Sequence, residues 1–96
     1  MSSLARNLIR DSRIKTTTAK AKELRPMVEK LVTKAKVVTV ATRRLINSSI
    51  HSATETKKLV DVIAPKYKDR KGGYTRIIRL PNRDLDGSPM SLIEFV

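Results

Sequence analysis

Apolar positions recur at helical spacing through the first two thirds of the chain, and β-branched runs dominate its last quarter. Ser2 or Ser3 is placed to cap a first helix, in which Leu4, Ala5, Leu8 and Ile9 form one narrow stripe. RIKTTT, residues 13–18, breaks that period; its β-branched content predicts a short strand, with Thr17 or Thr18 capping the next helix. From Ala19 to Ala35 the positions Leu24, Val28, Leu31, Val32 and Ala35 fall at i, i+4, i+7, i+8 and i+11, which predicts the central core helix. Pro26 inside it removes one amide donor and predicts a kink, or a helix regular only beyond that point.

KVVTVAT, residues 36–42, suits either a strand or a helix face carrying Val38, Ala41 and Leu45; we place a break near Thr39 and a third helix to about Ser49. Ser52 and Glu55 have capping-box spacing ahead of a fourth helix with Leu59, Val62 and Ile63. Pro65 should end that helix by pushing Ala64 out of helical angles. Two strands follow, Tyr74 to Leu80 and Met90 to Phe95, joined by the turn-rich PNRDLDGSP. The expected architecture is one α+β domain over residues 1–96, two-layered, with helices packed on a small mixed three-stranded sheet in the order α-β-α-α-α-β-β.

Composition changes this picture in two ways. Aromatic residues are only 3% of the chain, so the core should be aliphatic. There are 21 Lys and Arg against 9 Asp and Glu, a net charge of +12, and the excess lies in the body: +14 over residues 1–80 and −2 over 81–96. A compact domain so charged repels itself unless a polyanion cancels the repulsion, so nucleic acid is the leading partner, ahead of an anionic membrane surface. No apolar run reaches the roughly 20 residues of a membrane span, and the absence of cysteine fits a reducing compartment.

Catalytic chemistry lacks its parts. His51 is the one histidine and has no neighbouring carboxylate to orient it; no metal-ligand set or dinucleotide fingerprint exists, and the Gly72–Gly73 pair precedes a strand rather than a helix. We therefore expect no enzyme, no metal, no cofactor and no small-molecule substrate. What remains is four basic clusters. Arg6, Arg10, Arg13 and Lys15 lie with Thr16, Thr17 and Thr18, whose hydroxyls suit phosphate oxygens and the ribose 2′-OH. Lys20, Lys22 and Arg25 sit in the first turns of the core helix. Arg43 and Arg44 form the third, and Arg70, Lys71, Arg76 and Arg79, with Lys66 and Lys68 before them, the fourth. Gly72 and Gly73 permit a positive-φ turn into the strand, and bare amides there could also approach a phosphate while Tyr74 offers a face or hydroxyl to nucleotides. Asp84, Asp86 and Glu94 hint at a basic protein neighbour.

RIKTTTAKAKELRPMVEKLVTKAK, ATRRL, IAPKYKDRKGGYTRIIRL and MSLIEF together resemble the bacterial-type L17 family of large-subunit ribosomal proteins, most specifically in AP-x-Y-x-DR-x-GGYTR. The resemblance runs from residue 1 to 96. It implies an α+β domain with a structural, non-catalytic role on large-subunit ribosomal RNA. It also implies neighbouring ribosomal proteins near the peptide-exit side, and a place in the cytoplasmic ribosome of a bacterium. The alternatives are a non-specific DNA-binding or nucleoid-compacting protein and a module meeting acidic proteins. The chain departs from the family pattern in having no basic extension ahead of MSSLARNLIRD, which implies a weaker grip on RNA. It also departs in Val38-Thr39 where Gly-Asp is common, and in Pro26; its NRDLD connector resembles some mitochondrial members, so a mitochondrial ribosome is the other location.

Overall fold

The computed structural model describes residues 1–96, which form α1 (Ser2–Asp11), β1 (Arg13–Thr17), α2 (Thr18–Ala35), α3 (Val40–Ile50), α4 (Ala53–Lys58), a π-helical turn (Leu59–Ile63), α5 (Ala64–Lys66), β2 (Thr75–Leu80) and β3 (Met90–Phe95). This is the expected α+β order. The strands lie as β1-β3-β2. Both pairings are antiparallel, so the sheet is not mixed: β3 lies between two strands and runs against each, which leaves the parallel pair β1 and β2 without hydrogen bonds to one another.

Strand alternation assigns the faces. Ile14, Thr16, Ser91, Ile93, Thr75 and Ile77 share the face covered by α2, and Ile93, Ser91 and Thr75 are buried there. Arg13, Glu94 and Arg76 form one row on the opposite face, and Lys15, Leu92 and Ile78 the next. The predicted stripe of α2 is wholly buried: Leu24, Val28, Leu31, Val32 and Ala35, joined by Ala21. Each large aliphatic side chain so placed contributes about 1.5–3 kcal/mol relative to exposure. All three aromatic residues gather at one end of this otherwise aliphatic core. The Tyr67 and Tyr74 rings are 5.3 Å apart, and those of Tyr67 and Phe95 6.4 Å.

Several local expectations change. Met1, not a serine, occupies the N-cap of α1 and gives no side-chain bond; the helix ends where Ser12 adopts φ 69° and donates its amide to Leu8 at 2.8 Å. Thr17 caps α2, accepting from the Lys20 amide. That helix is unbroken through Pro26, which lies on its exposed side, where water can serve the Lys22 carbonyl that the proline cannot. Thr39 opens α3 with a capping box to Thr42. The core face of α3 is Ile46 and Ile50; Leu45, one residue round the helix from Ile46, is turned outward at 53% exposed, and Val38, ahead of the helix, is 60% exposed.

Pro65 does not end the fourth helical segment. Ala64 keeps φ −58° and ψ −38°, and its amide reaches back five residues to the Leu59 carbonyl. The wider π turn re-phases the ladder ahead of the proline, so Pro65 enters the first turn of α5, where its missing donor costs little. The same widening turns Val62 outward, to 48% exposed, while Leu59 and Ile63 stay buried.

Candidate nucleic-acid interface

The fold distributes the cations more widely than their order in the sequence suggests. Arg6 is half-buried and spans α1 to the end of α3, donating to the Ile50 carbonyl at 2.9 Å and to Ser3 at 3.0 Å. Arg10 grips Asp11 through Nε and Nη2, both at 3.1 Å, a bidentate pair that raises the guanidinium pKa and lowers that of the carboxyl. Arg13 and Lys15 sit apart from both, on the outer face of the sheet. The threonines between these groups have structural tasks. Thr16 is buried, Thr17 caps α2, and the Thr18 and Ser91 hydroxyls lie 2.7 Å apart in a shared hydrogen bond.

The fourth cluster divides three ways, because positions 76 and 79 of a strand lie on opposite faces. Arg76 points outward and pairs with Glu94 at 2.6 Å. Arg79 pairs across the sheet with Ser91, the residue that bonds Thr18 at the start of α2, and so lies on the face that α2 covers. Arg70 and Lys71 remain exposed on the loop ahead of β2. Glu94 is thus already satisfied. Asp86 is also engaged, 3.6 Å from Arg83 and accepting the Ser88 amide, which holds its carboxyl below the usual range.

The loop around the glycines is fastened from within. Gly73 takes φ +66°, a conformation glycine alone adopts without cost, whereas Gly72 does not have a positive φ. A Cβ on either would meet nothing within 4 Å, so both backbones face open space. Tyr74 is completely buried, and its ring is not presented to a nucleotide. Its amide donates to both oxygens of Glu29 at 3.1 Å, and its hydroxyl donates to the Arg70 carbonyl at 3.1 Å. Lys36 donates to that hydroxyl at 3.0 Å and to the same carbonyl, with its ammonium 5.1 Å from the ring centroid. The Lys36 bond lowers the Tyr74 pKa from its ordinary value, while burial raises that of Tyr67. Nothing local in the sequence singles out Glu29 and Lys36, because their partners lie some forty residues away.

On the far side, Arg43 and Arg44 of α3 face α4 across a groove of about 410 Å³ lined by Val40, Asn47, Ala53, Thr56 and Lys57 besides the two arginines. Arg43 also reaches Asp61 at 3.2 Å. Lys57 joins the basic surface and Asn47 adds a neutral amide beside it, both brought there by the packing of α3 on α4. His51 is exposed and ends α3 with φ 55°, a capping position. No group of three His, Cys, Asp or Glu residues is placed to hold a metal ion, and no helix is long and apolar enough to cross a membrane.

The family model described as Ribosomal protein L17 matches residues 1–96. The chain is similar to proteins named Large ribosomal subunit protein bL17. The one from Sphingopyxis alaskensis is 53% identical, over 97% of this chain and 67% of its own length. That from Zymomonas mobilis subsp. mobilis is 53% identical, over 93% and 64%, and that from Mycoplasmopsis synoviae 49%, over 100% and 85%. The chain spans about two thirds of the length of the first two.

Proposed function

Because this chain belongs to the ribosomal protein L17 family, we propose that it is a structural, non-catalytic constituent of the large ribosomal subunit that binds ribosomal RNA. One observation supports the RNA-binding part above the others: only four of the 21 Lys and Arg side chains form an ion pair with a carboxylate. The uncompensated cations are spread over the outer face of the sheet, the exposed side of α2, the Lys66–Lys71 segment and α3 and α4, so the molecule offers several separate contacts to a polyanion. Its Cα extents of 45 × 27 × 18 Å make it a thin slab that can lie against more than one RNA segment.

Contacts of this kind work by counterion release, with RNA shape and the 2′-OH supplying the discrimination. The acidic groups near the C-terminal strand are mostly engaged within the chain, so the basic neighbour they suggested loses part of its warrant. Neighbouring large-subunit proteins near the peptide-exit side, and a bacterial cytoplasmic ribosome, complete the proposal. Competition between large-subunit ribosomal RNA and duplex DNA of equal length, at about 150 mM salt where non-specific attraction is largely screened, tests it. RNA should win at least tenfold; equal affinity would replace this reading with the DNA-compacting one.

A further inference from the structure

Resting on that RNA-binding reading, we propose that the groove between α3 and α4 seats one strand of RNA backbone, with Arg44 and Lys57 on phosphate oxygens and Asn47 on a ribose 2′-OH. Val40, Arg43, Arg44 and Asn47 fall at i, i+3, i+4 and i+7, one stripe running about 10 Å along α3. Ala53, Thr56 and Lys57 supply the facing wall from α4. Cations thus stand on both sides of a trough whose remaining lining is Val40, Ala53, Thr56 and the Asn47 amide.

The lining decides what fits. No carboxylate lines the groove, so a metal ion or a basic segment has no ligand there. No aromatic side chain lines it either, since Tyr67, Tyr74 and Phe95 all cluster at one end of the core, so there is no platform on which to stack a base. A sugar–phosphate strand needs neither. Thr56 donates its hydroxyl to the Ser52 carbonyl at 2.6 Å, and Arg43 is drawn toward Asp61, so the groups free to meet a ligand are Arg44, Lys57 and the Asn47 amide. That amide both donates and accepts, as a 2′-OH does, which makes Asn47 the discriminating member.

The test measures binding of the full chain to large-subunit ribosomal RNA across a salt series, comparing wild type with Arg44→Gln/Lys57→Gln and with Lys30→Gln/Lys34→Gln. The last pair lies on the exposed side of α2, outside the groove, and removes the same charge. The groove variant should lower the slope of log K against log salt by about 1.5–2, one phosphate contact per lost cation, and the α2 variant by less than half of that. Asn47→Ala should weaken RNA about fivefold and leave a DNA strand of the same sequence unchanged, on the worth of one net hydrogen bond. Restoring charge with Arg44→Lys/Lys57→Arg should recover the slope. Equal slopes for the two double variants, or equal weakening of RNA and DNA by Asn47→Ala, would overturn the inference while leaving ribosomal RNA preference intact. Loss of binding to a poly-glutamate peptide, with RNA binding unchanged, in the groove variant would assign the groove to an acidic protein segment and overturn it as well. Loss of RNA preference in the wild type itself would remove the reading on which it rests.

Discussion

Two regions that carry exposed cations, the Arg70–Gly73 loop and the α3–α4 groove, are held by opposite means. The loop has no regular structure of its own and depends on Tyr74, Glu29 and Lys36, whose bonds cross from the start of β2 to α2 and the residue that ends it. The groove is made by consecutive helices, each set by a local cap: Thr39 with Thr42 for α3, and Ser52 with Glu55 for α4. Long-range fastening couples the loop to the core, so damage there spreads. Local caps confine damage to one helix end. Cation number alone hides this difference, as it hides the fact that Arg76, close to the loop in sequence, is already spent on Glu94.

The largest break comes at Tyr74→Ala, which removes a buried ring, the hydroxyl on Arg70 and a partner of Tyr67. Melting temperature should fall by more than about 15 °C, and the amides of Arg70 and of position 74, bonded to the Tyr67 carbonyl and to Glu29, should lose hydrogen-exchange protection together with those of β2. Survival of β2 protection would show that the loop is not tied to the core. A smaller break is Glu29→Ala, which orphans the Tyr74 amide. Chemical denaturation should show a cost of about 1–3 kcal/mol, while the chemical shifts of Arg44, Asn47 and Lys57 stay in place. Movement of those shifts would contradict the separation of the two regions.

The smallest effect sharpens the groove side. Ser52→Ala should cost about 1 kcal/mol at neutral pH through the lost α4 cap. The Ser52 hydroxyl, more than any other group, holds the Glu55 carboxyl below its ordinary value of 4.5. A carboxyl depressed in the folded state stabilises above its unfolded pKa, and that share is lost as pH falls through the folded one. The wild-type advantage over Ser52→Ala should therefore shrink in acid, below about pH 4.5, and by less at high salt, because the pair is only partly buried. An advantage constant from pH 7 to pH 3 would detach Glu55 from the cap.

Element order is legible because it rests on local periods: the α2 stripe, the S-x-x-E spacing and the PNRDLDGSP connector each name a structure without distant information. The failures share a different cause. Pro65 is a stop only on an α-helical ladder, and a π turn five residues long changes the ladder. Leu45 and Ile46 are neighbours on α3, and which of them faces inward depends on how the helix is rotated against the core, which its own sequence does not state. Sheet direction depends on which strand takes the middle, which no single strand reveals. Among site residues, Arg76 and Arg79 can be separated by the two-residue period alone, without any structure. The burial of Tyr74 cannot, since it follows from Glu29 and Lys36 meeting it across the fold. Lys57 and Asn47 need the packing of α3 on α4.

The middle position of β3 has a consequence for how the molecule folds. Its pairing with β2 closes across the nine residues 81–89, a hairpin-scale event, but its pairing with β1 joins position 14 to position 93. Neither β1 nor β2 has another strand to pair with, so no part of the sheet can form on a growing chain before Met90–Phe95 have been synthesised. Until then α1 and α2 have an apolar side facing a sheet that does not exist, and the basic stretches Arg13–Lys15 and Arg70–Lys71 are attached to unstructured backbone. The second seam of the sheet must wait for the slow, high-contact-order search, which makes closure of β1 onto β3 the natural candidate for the rate-limiting event.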